Sequence, residues 1–388
     1  MKATFKANEL KATLKDVVRV VPGRATNFQK YILLTANMKD GRVDFTATSD
    51  RESLRRTMYD LAVGSAISVV ESGTVLLPGK EFFDVVKVLD GTIEITTDGA
   101  KHDNGVLIKS GKSKYQLPGN DPKLFTAYDQ AEERILVTIA AKALRNVIEK
   151  TAFATSVSET KPVLQGVNFT ITNSMLKAIG TDSQRLALTI SQIENGEKVE
   201  NLTIPRASLE SLSAMLPNSE DEEVTLEFGS SGLVASWGDD EVRYTMRGLE
   251  GAYPDVSRII PTPTESAQFH RTDMLKALER VALFAEATES KRALFTFENN
   301  AIRISSESPT MGEATDEVEV VTMATNIKAM KFNIRYWIDA LKALDSESVE
   351  VGVIGQNKPV VIRPVGESDD VMLVVPLIFS VSTAQKTA

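Results

Sequence analysis

The sequence predicts an α+β fold built from three copies of one domain, each with two helices packed on antiparallel sheet. Three observations predict it. The first is the stretch Ile204–Leu216, IPRASLESLSAML, which reads as a helix. Pro205 suits a first turn, and Leu209, Leu212 and Leu216 recur at helical spacing on one side. The second is that this stretch recurs. Upstream, LPGKEFFDVVKVL puts Phe82, Val85 and Leu89 at the same spacing; downstream, FNIRYWIDALKAL puts Trp337, Ala340 and Leu344 there. Leu209 lies 127 residues after Phe82, and Trp337 lies 128 after Leu209. The third is that each copy runs into a strand-like segment, Thr92–Thr96, Val224–Phe228 or Val349–Ile354.

The elements follow in order. Repeat one opens with a strand at Ala3–Lys6 and a helix near Asn8–Val20, whose stripe is Leu10, Leu14 and Val17. Alternating segments Tyr31–Ala36 and Arg42–Thr48 read as strands, then a second helix at Glu81–Leu89, then strands Gly105–Ser110 and Lys114–Leu117. Repeat two has strand Ile135–Ile139, helix Ala143–Phe153, and strands Gly166–Thr172, Leu176–Thr181 and Arg185–Ile190. Repeat three has helix Met274–Phe284, which the sequence aligns with Ala143–Phe153 at an offset of 131. The polar stretch Asp121–Arg134 and the proline-rich Pro261–Glu265 mark the joints, so the expected domains are 1–128, 129–261 and 262–388, the last with a short polar tail, Ser380–Ala388.

Composition narrows the classes. There is no cysteine, which rules out disulfides, thiolate zinc and a Cys nucleophile and suits a reducing cytoplasm. The N-terminus lacks the apolar run of a signal peptide, and the longest apolar run, Val371–Phe379, contains Pro376, so no membrane partner is expected. The net charge of −9 argues against a nucleic-acid partner if the charge is spread evenly.

It is not spread evenly. At about 100° per residue, Lys80 and Lys87 fall opposite the Phe82 stripe, Lys15 and Arg19 lie opposite Leu10, and Lys11 is on the flank. Across the aligned repeats Lys11 corresponds to Arg145 and Lys276, and Lys15 to Glu149 and Arg280. Lys80 corresponds to Ala207 and Arg335, and Lys87 to Ala214 and Lys342. Nine of these twelve slots are basic, although acidic residues outnumber basic ones 53 to 44 in the whole chain. The plain alternative is a solvated helix face. One sign shared by helices of an acidic protein points instead to a helical surface that meets a polyanion without reading it. The middle repeat should contribute least.

Three motifs carry a resemblance. Thr181-Asp182-Ser183-Gln184-Arg185-Leu186-Ala187 resembles a TD-[GS]-H-R-L-A turn, Ser158–Val167 (SETKPVLQGV) resembles S-E-T-R-P-[IV]-L-x-G-V, and Gly251-Ala252-Tyr253-Pro254-Asp255 resembles G-x-[FY]-P-D. With the triple repeat they make residues 1–379 similar to the bacterial sliding clamps, the beta subunit of DNA polymerase III. The resemblance implies a head-to-tail dimer of clamp domains: a ring with helices inside, sheet outside and duplex DNA through the hole. It implies a processivity factor without catalysis or cofactor. Its partners would be double-stranded DNA, a second copy, the polymerase III alpha subunit, the clamp loader and other clamp-motif proteins.

The resemblance also implies sites. The partner-peptide cleft would use Leu164, Thr181, Arg185, Leu186, Pro254, Arg258, Ile259, Val374, Val375, Pro376 and Leu377. Three departures bear on it: Gln184 replaces the usual His, Ile378 replaces a frequent Arg, and the chain runs nine residues past Phe379. Arg24 matches an inner-loop DNA position and joins Lys11, Lys15, Lys80, Lys87, Arg145, Lys276, Arg280, Arg335 and Lys342. Leu283 and Phe284 match apolar dimer-interface residues, with Phe284 aligned to Phe153. Charge supports that docking: Lys101, Lys109, Lys112 and Lys114 crowd the end of repeat one, while Glu313, Asp316, Glu317 and Glu319 crowd repeat three.

Two other functions compete. An accessory, phage- or plasmid-type paralogue would act mainly as a partner-binding hub, and a monomeric mass would favour it. A carboxylate-dependent nuclease would need metal-dependent turnover. The only histidines, His102 and His270, are far apart, and no metal pair, phosphate loop or nucleophile elbow is present in the sequence.

Overall fold

The computed structural model describes residues 1–378 apart from 25–26, 61–64, 102–103, 127–133, 195–197, 220, 257, 289, 299, 326, 328 and 367. The 128/129 boundary, His102, Phe379 and the tail 380–388 lie outside the described residues. Six α-helices are described: α1 (Ala7–Val20), α2 (Gly79–Val86), α3 (Ala141–Ala152), α4 (Arg206–Met215), α5 (Arg271–Ala285) and α6 (Ile334–Lys342). None is long and apolar enough to cross a membrane.

The chain gathers into two compact units. The first holds Met1–Leu144, Thr172–Ser174 and Ile193–Leu249; the second holds Arg145–Ile171, Met175–Gln192 and Glu250–Ala388. The central repeat is thus divided between them.

In the first unit a five-stranded sheet runs in the order Ile67–Glu71, Lys2–Lys6, Thr92–Thr96, Val106–Ser110, Ser113–Leu117. An eight-stranded sheet runs Ile135–Ala140, Glu223–Phe228, Gly232–Trp237, Val242–Arg247, Glu52–Tyr59, Arg42–Thr48, Tyr31–Asn37, Gly73–Pro78. Strands alternate buried and partly buried positions, as in Tyr31–Asn37, because one face of each sheet packs on helices. Leu10, Leu14 and Val17 of α1, and Leu209 and Leu212 of α4, are buried as their spacing requires. Two boundaries differ from expectation. Pro205 is the extended residue before α4 (ψ 138°) rather than a member of its first turn. α2 stops at Val86, with Lys87 as its C-cap.

In the second unit one sheet runs Gly166–Thr172, Met175–Thr181, Arg185–Gln192, Val371–Val374, Val360–Pro364, Ser348–Val353, Glu265–His270, Gly312–Ala324, Ala301–Ser308, Arg292–Glu298, Ala329–Asn333. Its core centres on Trp337, whose ring lies 4.6 Å from Phe295 and 5.3 Å from Phe332. Gly180 lets a strand meet the last turn of α3: a Cβ there would stand 2.2 Å from the Thr151 carbonyl oxygen.

The structure corrects one alignment. Leu10, Leu144 and Met274 are each buried at the fourth position of their helices. The offset from repeat two to repeat three is therefore 130 in this helix, one less than the sequence alignment gives. Lys11 and Arg145 then correspond to Leu275, and Lys15 and Glu149 to Glu279; Lys276 and Arg280 leave the shared slots. Leu283, not Phe284, takes the place of Phe153. A run rich in Ala and Leu on both sides of the true register allowed the slip; burial decides it.

Strand pairing repeats as well. The chains of paired residues Ala3–Ile95–Ile108–Tyr115, Val137–Leu226–Ala235–Tyr244 and Ala267–Val351–Ile362–Met372 make Tyr115, Tyr244 and Met372 equivalent. In the first unit Tyr244 stands opposite Leu54 in a further ladder, and in the second Met372 stands opposite Ala187. Among the described residues Tyr115 has no such neighbour: Ser113–Leu117 ends its sheet. Strand Gly312–Ala324 pairs with Ala301–Ser308 through residues 312–319, and among the described residues no strand covers the other edge of 312–317. Among the described residues, the outer edge of Ser113–Leu117 and that of residues 312–317 are thus both without a paired strand.

Candidate functional site

The Thr181–Leu186 turn organises the cleft. Asp182 Oδ1 accepts the backbone N–H of Gln184 at 2.8 Å and of Arg185 at 2.9 Å, an Asx-turn that places Ser183 at φ +77°. Thr181 Oγ1 donates to the Arg185 carbonyl at 2.6 Å and accepts the Ser183 N–H at 3.1 Å, which locks the turn. The Arg185 guanidinium is held on both sides, Nε to Asp182 at 3.0 Å and Nη1 to Asp339 of α6 at 2.6 Å. It lies over the Tyr336 ring at 4.6 Å and the Phe153 ring at 5.5 Å. Two of its five N–H donors are thus engaged, which leaves three for a ligand.

Beside this arginine is a cavity of 530 Å³, within the range of about 300–1,000 Å³ usual for ligand sites. Its floor is a small apolar cluster of Ile179, Leu186, Leu188, Val256 and Leu373. Tyr253 fixes that floor from below. Its hydroxyl donates to the Ile179 carbonyl at 3.2 Å, and burial pushes its acidity well below that of a free phenol, so it stays protonated. A second, polar groove of 630 Å³ adjoins through Arg185 and is lined by Val157, Ser158, Gln184, Lys291, Asn333, Tyr336 and Asp339. The pair offers an apolar socket with a cation at its rim, followed by a wet channel. That arrangement suits a short extended peptide with apolar anchors.

Seven of the expected cleft residues line the cavity: Leu164, Thr181, Arg185, Leu186, Pro254, Ile259 and Val375. Four do not. Val374 is 1% exposed and belongs to the neighbouring core, because strand residues alternate and its flanking Leu373 and Val375 face the cavity. Pro376 is buried and does not line the cavity, and Leu377 donates its N–H to the Lys331 carbonyl at 2.8 Å. The Arg258 side chain is 90% exposed, 3.7 Å from Asp255. The sequence reading missed Lys161, Val163, Ser183, Ala252, Val256 and Leu373. Period-two alternation would have found Leu373 and rejected Val374.

The ten expected DNA-facing cations fall into three groups. Arg24 is exposed on its turn, and Lys15, Lys80 and Lys276 are exposed with no ion-pair partner among the described residues. The Lys80 ammonium lies 3.8 Å from where a Cβ on Gly23 would be, close to Arg24 in the chain. Five others meet carboxylates: Lys11 pairs with Asp90 at 3.0 Å, Lys87 with Asp84, Arg280 with Asp316, Arg335 with Glu286, and Lys342 with Glu279 at 2.8 Å. Arg145 is half-buried in α3. Counting slots along one helix does not see these carboxylates, which stand on the same helix (Asp84), in a loop (Asp90), on a strand (Asp316), on the neighbouring helix (Glu279) and at its cap (Glu286).

Leu283 is 66% exposed near the end of α5, while Phe284 beside it is half-buried. Lys112 and Lys114 are exposed near the open edge, but Lys109 is held in its own sheet by Glu94 at 2.8 Å. Among the described residues no group of three or more His, Asp or Glu side chains could hold a metal ion.

Known proteins match this arrangement throughout. Residues 1–129, 138–255 and 257–378 match the N-terminal, central and C-terminal domains of the DNA polymerase III beta subunit. The beta sliding clamp of Staphylococcus aureus is 30% identical over 97% of this chain and 99% of its own. The DNA polymerase sliding clamp of Bacillus subtilis superposes with a TM-score of 0.90 at 27% identity, over 98% of this chain and 99% of that one. A DNA polymerase III beta subunit of Thermotoga maritima gives 0.86 at 25% identity, over 98% and 100%. The chain belongs to the DNA polymerase III beta subunit family, the beta sliding clamps.

Proposed function

We propose that this chain is a DNA sliding clamp. Two copies close head to tail into a ring around duplex DNA and tether the replicative polymerase and other replication and repair proteins. On this reading it works in the cytoplasm as a processivity subunit and catalyses nothing itself. Its clamp domains are 1–128, 129–261 and 262–388. The observation that carries the reading is the pair of open strand edges. The same strand-to-strand junction occurs at Tyr244–Leu54 and at Met372–Ala187, and one further copy of it is left unmade, with one half in the first repeat and the other in the third. A second molecule completes it twice, and a contact of that kind closes when the rotation completes a circle.

The repeat fixes the register of that contact. The paired chains Arg55–Thr46–Leu33–Leu76 and Thr315–Ser305–Leu294–Lys331 make Arg55 and Thr315 equivalent. Arg55 faces Arg243, whose counterpart is Lys114. Lys114 of one copy therefore faces Thr315 of the other, Tyr115 faces Ala314, and Lys112 and Gln116 come opposite Glu317 and Glu313. Lys112 then meets a carboxylate directly and Lys114 lies diagonal to two, which fixes register more than it adds affinity. Leu283 and Phe284 would complete the contact with apolar surface, and Lys109, engaged by Glu94, would contribute least.

Closure makes weak phosphate contacts sufficient, because a ring cannot leave DNA sideways. Bound partners in the cleft then stay at high effective concentration near the template. The test is retention. Clamps loaded on a nicked circle are expected to stay through a wash in raised salt that empties short linear duplexes. Equal loss from both would overturn the reading.

A further inference from the structure

The cations of the third repeat are organised differently from those of the first. α5 and α6 carry two cross-helix ion pairs, Glu279 with Lys342 and Glu286 with Arg335. The members are seven residues apart on each helix, two turns, so both pairs lie on one shared face. A third carboxylate, Asp316, holds Arg280, and the Arg280 hydrogen bond keeps the Asp316 carboxyl below its ordinary range. Glu279 also occupies the slot that Lys15 fills in the first repeat. In that repeat Lys11 and Lys87 meet Asp90 and Asp84, but Lys15 and Lys80 have no ion-pair partner among the described residues, as Lys276 has none in the third.

We propose that Glu279 and Glu286 are built-in counter-charges that keep the third repeat's helix face near neutral, so that the first repeat's cations, Lys15 and Lys80 foremost, grip the duplex phosphates. The proposal rests on the clamp reading. A cation adds to phosphate binding by displacing counterions from DNA, and a cation already matched by its own carboxylate adds little net charge to the face that meets them. The two glutamates act through Lys342 and Arg335 and need not touch DNA. They set how firmly the ring holds, and so how freely it slides.

The test uses the full-length dimer and a fluorescent linear duplex, with affinity read at several salt concentrations. Three double variants are compared with the parent: Glu279→Gln with Glu286→Gln, Arg335→Ala with Lys342→Ala, and Lys15→Ala with Lys80→Ala. All six side chains are exposed, and melting and native mass check that each variant is a folded dimer. The glutamine pair frees two cations per copy, four per ring. The slope of log affinity against log salt should steepen by about 0.9 per freed cation, up to about 3.6 in all. The Lys15/Lys80 variant should flatten the slope by about as much, and the Arg335/Lys342 variant, which removes cations already matched by carboxylates, should flatten it by much less. The inference is overturned if the glutamine pair leaves the slope unchanged, or if the Arg335/Lys342 variant flattens it as strongly as the Lys15/Lys80 variant. The parent's retention on a nicked circle, measured alongside, separates the two claims. Retention with unaltered slopes rejects only the counter-charges, while a parent that is not retained rejects the clamp itself.

Discussion

A chain carrying Tyr115→Cys and Ala314→Cys is expected to form a covalent dimer on mild oxidation, at twice its mass of 42.4 kDa in a non-reducing gel. The parent has no cysteine, so any disulfide comes from the introduced pair. In the first unit the Thr57 N–H donates to the Glu241 carbonyl and the Arg247 N–H to the Arg51 carbonyl, so hydrogen-bonded pairs alternate and Tyr244–Leu54 falls between them. The equivalent Tyr115–Ala314 pair inherits that setting, where opposed side chains approach most closely and a disulfide fits. Oxidation on a closed circle should make release negligible until reductant is added. Dimers that form equally well when the cysteines are moved one residue along one strand, to Thr315 instead of Ala314, would reject the register. Failure to form any dimer would reject the head-to-tail contact.

Ile259→Asp should abolish partner binding while leaving the ring intact. Ile259 is 48% exposed at the mouth of the 530 Å³ cavity, so the fold does not depend on it. A bound apolar side chain would strip water from the new carboxylate, and the Arg185 guanidinium that lines the same cavity is already held by Asp182 and Asp339. Affinity for a clamp-binding peptide should fall by about 100-fold or more, equivalent to about 2.7 kcal/mol. Calorimetry with such a peptide checks this, and native mass checks that the dimer remains. Unchanged peptide affinity would remove the cavity from the binding site.

The repeated helices were legible because buried stripes repeat at fixed offsets and leave a strong trace in the sequence. Phe82, Leu209 and Trp337 were placed correctly from spacing alone, and all three are buried. The turn around Arg185 was legible because Thr181 and Asp182 have the side chains that cap it. Spacing was weaker for the first helix of the third repeat. There Met274, Ala277, Leu278, Val281 and Ala282 offer two nearly equivalent stripes, and only packing selects one. The cleft was legible as a set of segments but not as a surface, because which of Leu373, Val374 and Val375 faces it depends on the pleat.

The sequence by itself determined the triple repeat, the two helices per copy, the absence of thiol chemistry and the family. Each of these is written in residue type and spacing along the chain. Tertiary structure alone decided which helix cations meet a carboxylate and which face of each strand lines the cleft. Lys342 meets Glu279 across 63 residues of chain, and Arg185 meets Asp339 across 154. Electrostatics acts through space, so a basic slot counted along one helix can be cancelled by an acid on the next, and only the packed helices reveal it.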